Sequence, residues 1–288
     1  MAALLTRKLV LTAILFSISL LLLILPFVIH TKAATSGTFN VTLTINNVPP
    51  FVSWVNGSVS GDPTEGTFTV ILVSFNVTDN NSAADLNDST AAIILNLSTE
   101  TSRSSSVCWN TSEVGNTVTY SCNITLWYWD MDGSWTINAS IQDNSGQYAQ
   151  NVSQTFTWNL LRAMTVTKPA LSFTGIPSQE NISAAENPQV INNTGNRNFT
   201  MVNMTGYELR GVTYNTYVIA AGNLSVNISN SSLGQPMVNG STLQVTGSTL
   251  PRGNQSTEDL YLYLDIPTGM RGQQYQAAAA YVIGVAES

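Results

Sequence analysis

The residues with the plainest chemical potential are asparagines in a directional context. Of 29 asparagines, 19 are followed two positions later by Ser or Thr with no Pro between. They are Asn40, Asn56, Asn76, Asn80, Asn87, Asn96, Asn110, Asn123, Asn138, Asn151, Asn181, Asn192, Asn198, Asn203, Asn223, Asn227, Asn230, Asn239 and Asn254. Ser and Thr fill 65 of 288 positions, so chance order gives roughly 6 or 7 such triplets. The amide nitrogen in this triplet is the acceptor for N-linked glycan, which is attached to chains that pass outward through a membrane. A polar strand face also generates Asn-x-Thr, because alternate residues share a face. That origin would enrich Ser/Thr-x-Asn equally, yet the reversed triplet occurs at only 10 asparagines. The excess is directional, and a glycosylated surface protein is expected.

Other reactive groups are sparse. The one histidine, His30, lies in an apolar N-terminal run. Removal of that run would leave no Ser-His-Asp or Cys-His catalysis and no His-ligated metal. No phosphate-binding glycine loop is present. Two pairs of carboxylates, Asp130 with Asp132 and Asp79 with Asp85, are candidates for glycoside hydrolysis. Both pairs fall in turn-forming sequence, where Asp is favoured because it bonds its own backbone. No cofactor is expected. Calcium stays open, because Asp79, Asn81, Asp85 and Asp88, with Asn80 and Asn87 between them, concentrate hard oxygen ligands. The bland alternative is a polar loop carrying two glycosylation triplets. Leu126-Trp127-Tyr128-Trp129 sets two indoles on one strand face. Trp127 and Trp129 either fill the core or form a platform for a sugar ring.

Cys108 and Cys122 flank Glu113-Val114-Gly115-Asn116, a turn sequence that would place them opposite each other in a hairpin. Their bond would close a loop of about 15 residues and contribute roughly 3 kcal/mol. An exported chain favours the bond over free thiols.

These groups need elements to hold them. Arg7 and Lys8 precede an apolar run from Leu9 to Ile29, and Thr31-Lys32-Ala33 supplies small residues for a cleavage site. Residues 1–33 are read as a signal peptide or an N-terminal membrane anchor; contact with a membrane is expected only through residues 9–29, if they are retained. Beyond residue 33 there are 17 acidic and seven basic side chains, and Lys168 is the only lysine. Such a chain has little with which to neutralise phosphates, so nucleic acid is excluded as a partner.

Alternating runs at Phe39–Ile45, Phe68–Val77, Ala92–Leu97, Val118–Leu126, Trp135–Ile141 and Val152–Trp158 are separated by Gly, Pro, Asn and Asp clusters. Further strands are expected at Met164–Thr167, Leu171–Phe173, Phe199–Met204, Thr216–Ala220, Leu224–Ile228, Leu243–Val245, Leu260–Ile266 and Tyr275–Val285. No convincing helical period follows residue 33. All six tryptophans and both cysteines precede residue 160. The expectation is an all-β chain of two tandem Ig-like antiparallel β-sandwiches after an N-terminal hydrophobic helix, at 34–160 and 161–288. The join, Trp158-Asn159-Leu160-Leu161-Arg162, has no Gly/Ser or Pro spacer, which predicts a stiff connection.

Several strings resemble known secreted domains. Phe75-Asn76-Val77-Thr78-Asp79 with Ala84-Asp85-Leu86, and Gly133-Ser134-Trp135-Thr136-Ile137 with Asp143-Asn144-Ser145-Gly146, resemble Ig-like, PKD-like and cadherin-like domains. Ile191-Asn192-Asn193-Thr194-Gly195-Asn196 and Leu262–Gly269 resemble parts of another Ig-like type. Such pairs are similar to archaeal surface proteins: sheath, S-layer-associated and pilus-like components. The resemblance implies fold class and location and transfers no catalytic residue.

Three functional classes follow. The first is a glycan-coated structural or adhesive surface protein whose partners are itself or other envelope proteins. In one variant the alternating segment Thr38–Asn46 adds as a strand to a neighbouring subunit. The second is a carbohydrate- or ligand-binding module using the Trp-rich first domain. The third is a carboxylate-only enzyme, the least expected.

Overall fold

The structure, a computed structural model, describes residues 8–15, 37–56 and 59–287. The expectations for Arg7, His30 and the Thr31–Ala33 cleavage sequence lie outside them. Residues 1–46 form one compact unit and residues 47–288 another.

Within the first unit, residues 8–15 are helical, and Thr12 Oγ1 donates to Lys8 O at 2.6 Å. Among the described residues no helix is long and apolar enough to cross a membrane. Residues 37–46 form no strand, which corrects the expectation of one at Phe39–Ile45. Phe39, Val41, Leu43 and Ile45 are exposed. Alternation supplies a strand's side-chain pattern, but a strand also needs a neighbour for its N–H and C=O groups. Among the described residues no strand pairs with this segment.

Among its described residues the second unit has strands and two single 3-10 turns, Ala83–Asp85 and Ala221–Asn223, and no helix longer than these. Its first nine strands are β1 (Phe51–Val55), β2 (Val59–Gly61), β3 (Phe68–Thr78), β4 (Leu86–Asn96), β5 (Arg103–Ser105), β6 (Cys108–Val114), β7 (Thr117–Trp127), β8 (Gly133–Asp143) and β9 (Tyr148–Trp158). They make two sheets, ordered β1-β3-β7-β6 and β2-β9-β8-β4-β5. All ladders are antiparallel except β2 with β9.

Strands β3 and β7 show why the alternation is so legible. Their register pairs Ile71 with Ile124, Val73 with Cys122, Phe75 with Tyr120 and Val77 with Val118. All eight are buried, and the Phe75 and Tyr120 rings stack with centroids 5.5 Å apart. The opposing sheet contributes Ile93, Leu95, Trp135, Ile137, Phe156 and Trp158. Each fully buried side chain of this size contributes about 1.5–3 kcal/mol over leaving it in water. The hairpin of β6 and β7 turns at Gly115 and Asn116, with Gly115 at φ +62 as a two-residue turn of this hand requires. Cys108 and Cys122 stand directly opposite each other and are bonded, as their spacing predicts.

After residue 160 the strands are shorter: β10 (Met164–Val166), β11 (Ile182–Ser183), β12 (Gln189–Asn193), β13 (Met201–Thr205), β14 (Leu209–Gly211), β15 (Val218–Ile219), β16 (Leu224–Asn227), β17 (Gln235–Pro236), β18 (Thr242–Gln244), β19 (Thr257–Leu264), β20 (Tyr275–Ala277) and β21 (Val282–Ala286). The sheets run β10-β12-β19-β16-β17 with β11 also on β19, β18-β13-β21, and β15-β14-β20. They enclose a second core that includes Ile191, Phe199, Val202, Val226, Leu260 and Leu262. The single strand expected over Tyr275–Val285 is two, because the chain leaves the β14 sheet after Ala277 and joins β13 from Val282. The strand expected at Leu171–Phe173 does not form, although both end residues pack against the second core.

Candidate functional site

None of the nineteen triplet asparagines is buried. Asn193 and Asn196, the buried asparagines, both lie outside the triplet. In the first sandwich Asn76, Asn110, Asn123, Asn138 and Asn151 fall one each on β3, β6, β7, β8 and β9, and Asn87 and Asn96 both fall on β4. The residues that follow explain the placement where they reach a core: Val77 and Ile124 are buried, and Leu97 and Ile228 pack partly on their cores. Val41, also between an Asn and a Thr, is exposed. At Asn56 the triplet's Gly57 and Ser58 lie outside the described residues. Among the described residues, four amide nitrogens are already engaged by the fold: Asn138 and Asn192 donate to the Gln150 and Thr165 side chains at 3.4 Å, and two others donate to backbone carbonyls. Asn151 Nδ2 donates to Val52 O at 3.1 Å, and Asn227 Nδ2 donates to Leu233 O at 3.1 Å.

The join at residues 158–162 is held by the turn after β12. Asn196, 0% exposed, makes three bonds across it. Its Oδ1 accepts from Leu161 N at 2.7 Å, its Nδ2 donates to Asn159 O at 2.8 Å, and its N donates to Leu161 O at 3.0 Å. Asn193 shapes the turn from inside, accepting from Gly195 N at 3.0 Å and donating to Arg197 O at 2.7 Å. Gly195 packs so closely that a Cβ there would stand 2.3 Å from Leu161 O. Thr194 reaches back to the first sandwich, donating from Oγ1 to Glu65 at 2.6 Å and accepting from Gly66 N at 3.3 Å. Two arginines complete the seam. Arg252 forks onto Glu100 and donates to Trp129 O at 3.0 Å. Arg197 pairs with Asp132 at 3.3 Å.

Trp127 and Trp129 do not fill the core, which corrects that side of the expectation; the central tryptophans are Trp135 and Trp158. Trp127 and Trp129 are half-buried and stack on each other, with centroids 4.7 Å apart and planes 13° apart. The edge of Phe68 meets Trp127 at 5.4 Å, and Tyr128 meets Trp129 at 4.8 Å. Each indole therefore spends one face on the other. Tyr128 is buried, and its hydroxyl accepts from Gln255 N at 3.4 Å. The aromatic group belongs to the seam as much as to the surface.

Asp130 and Asp132 are not arranged as a hydrolytic pair. Asp130 is buried under Arg103, whose Nε lies 3.0 Å from both carboxylate oxygens, and Trp127 N donates to it at 2.8 Å. Asp132 faces Arg197.

The loop chosen for calcium is partly regrouped. Asp88 leaves it: exposed on β4, it accepts from the Tyr120 hydroxyl. Burial first, and then that carboxylate, push the Tyr120 phenol far above its ordinary range. Asp143 takes the place of Asp88, because the β4–β8 register sets Leu86 opposite Asp143 and brings Asp85 beside it. Asp79, Asp85 and Asp143 each offer a carboxylate oxygen within 4.8 Å of the others. Asp79 and Asp143 are 0% and 1% exposed. Asn81 stays near: its N donates to Asp79 Oδ1 at 2.8 Å, and its Oδ1 accepts from Val48 N at 2.8 Å. Partial burial, then the charges of Asp79 and Asp143, raise the Asp85 carboxyl above its usual value. Burial also tends to raise Asp143, but donors from Asn47 Nδ2, Gln147 N and Ser145 N outweigh it and hold Asp143 low.

No family model matches this chain, and no curated protein is similar to it. Among solved structures it is similar to the chaperone–tip adhesion subunit pre-assembly complex of the archaic chaperone-usher Csu pili of Acinetobacter baumannii. The identity is 10% and the TM-score 0.38, over 81% of this chain and 100% of the compared one. A likeness of that depth transfers no partner or activity.

Sequence reasoning missed Asn193, Asn196, Arg252 and Asp143. A signal existed for the first two: they break the triplet pattern within a run that otherwise follows it. Arg252 and Asp143 depend on contacts 152 and 64 residues distant in sequence, to Glu100 and Asp79.

Proposed function

We propose that this chain is an exported, N-glycosylated structural or adhesion protein of the cell surface. In this reading residues 34–160 and 161–288 act as two tandem domains of a stiff scaffold that assembles with itself or with envelope partners. The observation that carries it is the segregation of asparagines: none of the nineteen in the triplet is buried, and the two buried ones lie outside it. Burial of an Asn in a core is incompatible with a sugar on its Nδ2, so selection for glycan would produce this division. The seam at Asn196 and Arg252 supports stiffness, because relative motion would expose polar groups now paired in partial burial. The reading assigns no catalysis. The stacked geometry of Trp127 and Trp129 weighs against a free aromatic platform.

Electron microscopy of the native cell surface and of the purified protein tests the assembly reading. Filaments or a lattice containing this chain are the expected result. A protein found only as a monomer, whose binding to polysaccharide is lost in Trp127→Ala or Trp129→Ala, would contradict it and favour a ligand-binding module.

A further inference from the structure

We propose that Asp79, Asp85 and Asp143 bind a calcium ion that ties together three chain segments at one end of the first sandwich. Asp79 directly follows β3, Asp85 closes the 3-10 turn before β4, and Asp143 ends β8. The register places Phe68 of β3 beside Trp127 and Thr78 beside Thr117. The carboxylates therefore sit at the far end of the long strands from the Trp127–Trp129 seam, about 35 Å away for eleven-residue strands.

The first support is a buried oxygen with nothing to bond. Asp79 Oδ1 accepts from Asn81 N, but the buried Oδ2 has no hydrogen-bond partner among the described residues. A buried carboxylate oxygen left bare is costly, and a bound cation would satisfy it. The second is charge. Three carboxylates converge, and among the described residues no Lys or Arg forms an ion pair with any of them. By contrast, the buried Asp130 carries its own arginine.

The donor set selects the ion. Only oxygen is on offer, which suits a hard cation rather than zinc or copper. Oxygens on opposite sides of a calcium ion are about 4.6–5.2 Å apart, twice the usual bond length. The three oxygens fall inside that limit as they stand. Asp85 is only partly buried, so water has access to complete the six to eight ligands. Asn47 Nδ2 bonds Asp143 Oδ2 at 2.7 Å, and Val48 N bonds Asn81 at 2.8 Å. An ion here would consequently brace the segment that leads into β1 as well as the three loops.

The experiment is calorimetric titration of the purified full chain with calcium chloride after chelator treatment, together with thermal melts. Extracellular modules bind calcium with Kd of about 10⁻⁴–10⁻³ M. At 10 mM calcium the melting temperature should then rise by at least about 3 °C. Sodium chloride at matched ionic strength should not reproduce that rise. Asp85→Asn, on a partly exposed turn, should abolish both the heat of binding and the rise while melting no lower than the calcium-free parent. No binding heat up to 10 mM, an equal rise with sodium chloride, or an unchanged calcium response in Asp85→Asn would overturn the proposal.

Discussion

Arg103→Ala is expected to lower stability by about 3–5 kcal/mol, the range for removing one partner of a buried ion pair. The Asp130 side chain is 1% exposed, and Arg103 covers both of its oxygens from the short edge strand β5. Without the guanidinium, Asp130 keeps, among the described residues, only the Trp127 N–H, in a turn that also carries the Trp127–Trp129 stack. Chemical denaturation of the purified protein, followed by tryptophan fluorescence, checks this because all six tryptophans lie in the first sandwich. Arg103→Met combined with Asp130→Asn should recover part of the loss, since the stranded charge is gone. A loss under about 1 kcal/mol from Arg103→Ala would mean that the pair behaves as a solvent-exposed one.

Asn196→Ala is expected to cost about 2–4 kcal/mol. The substitution removes both side-chain bonds across the join and leaves Leu161 N and Asn159 O, both on half-buried residues, without their partners, each at the lower part of the roughly 1–3 kcal/mol for a buried group left unsatisfied. Its signature should differ from that of Arg103→Ala. The damage falls between the two cores, so the unfolding transitions of the two halves should separate and protease should cut near residues 159–163. A single unchanged transition with no new cleavage would contradict the role given to this side chain.

How much of this was legible in the sequence depended on strand length and on whether the partner strand was near. Strands β3, β7, β8 and β9, each eleven residues, showed themselves by alternation because each pairs with at least one other eleven-residue strand and one face meets a continuous core. The disulfide was legible because the turn at Gly115 lies midway between Cys108 and Cys122; a two-residue turn alone would set Cys108 against Asn123, and the register shift between Asn110 and Ser112 brings it opposite Cys122. After residue 160 the strands are two to eight residues long and change sheets, so apolar runs such as Leu171–Phe173 signal burial without pairing. The segment at Phe39–Ile45 has the pattern of a strand but no ladder partner among the described residues. At the carboxylate cluster, Asp79 and Asp85 were visible as neighbours in one loop. Asp143 was not, because only the β4–β8 register brings it there.

Site-resolved mass spectrometry of glycopeptides from the native protein tests the central claim most directly. Sugar should be found at exposed acceptors such as Asn80, Asn96, Asn110, Asn123 and Asn239, with lower occupancy at Asn151 and Asn227, whose amide nitrogens already donate to backbone carbonyls. A native sample in which all nineteen asparagines are bare would contradict the account.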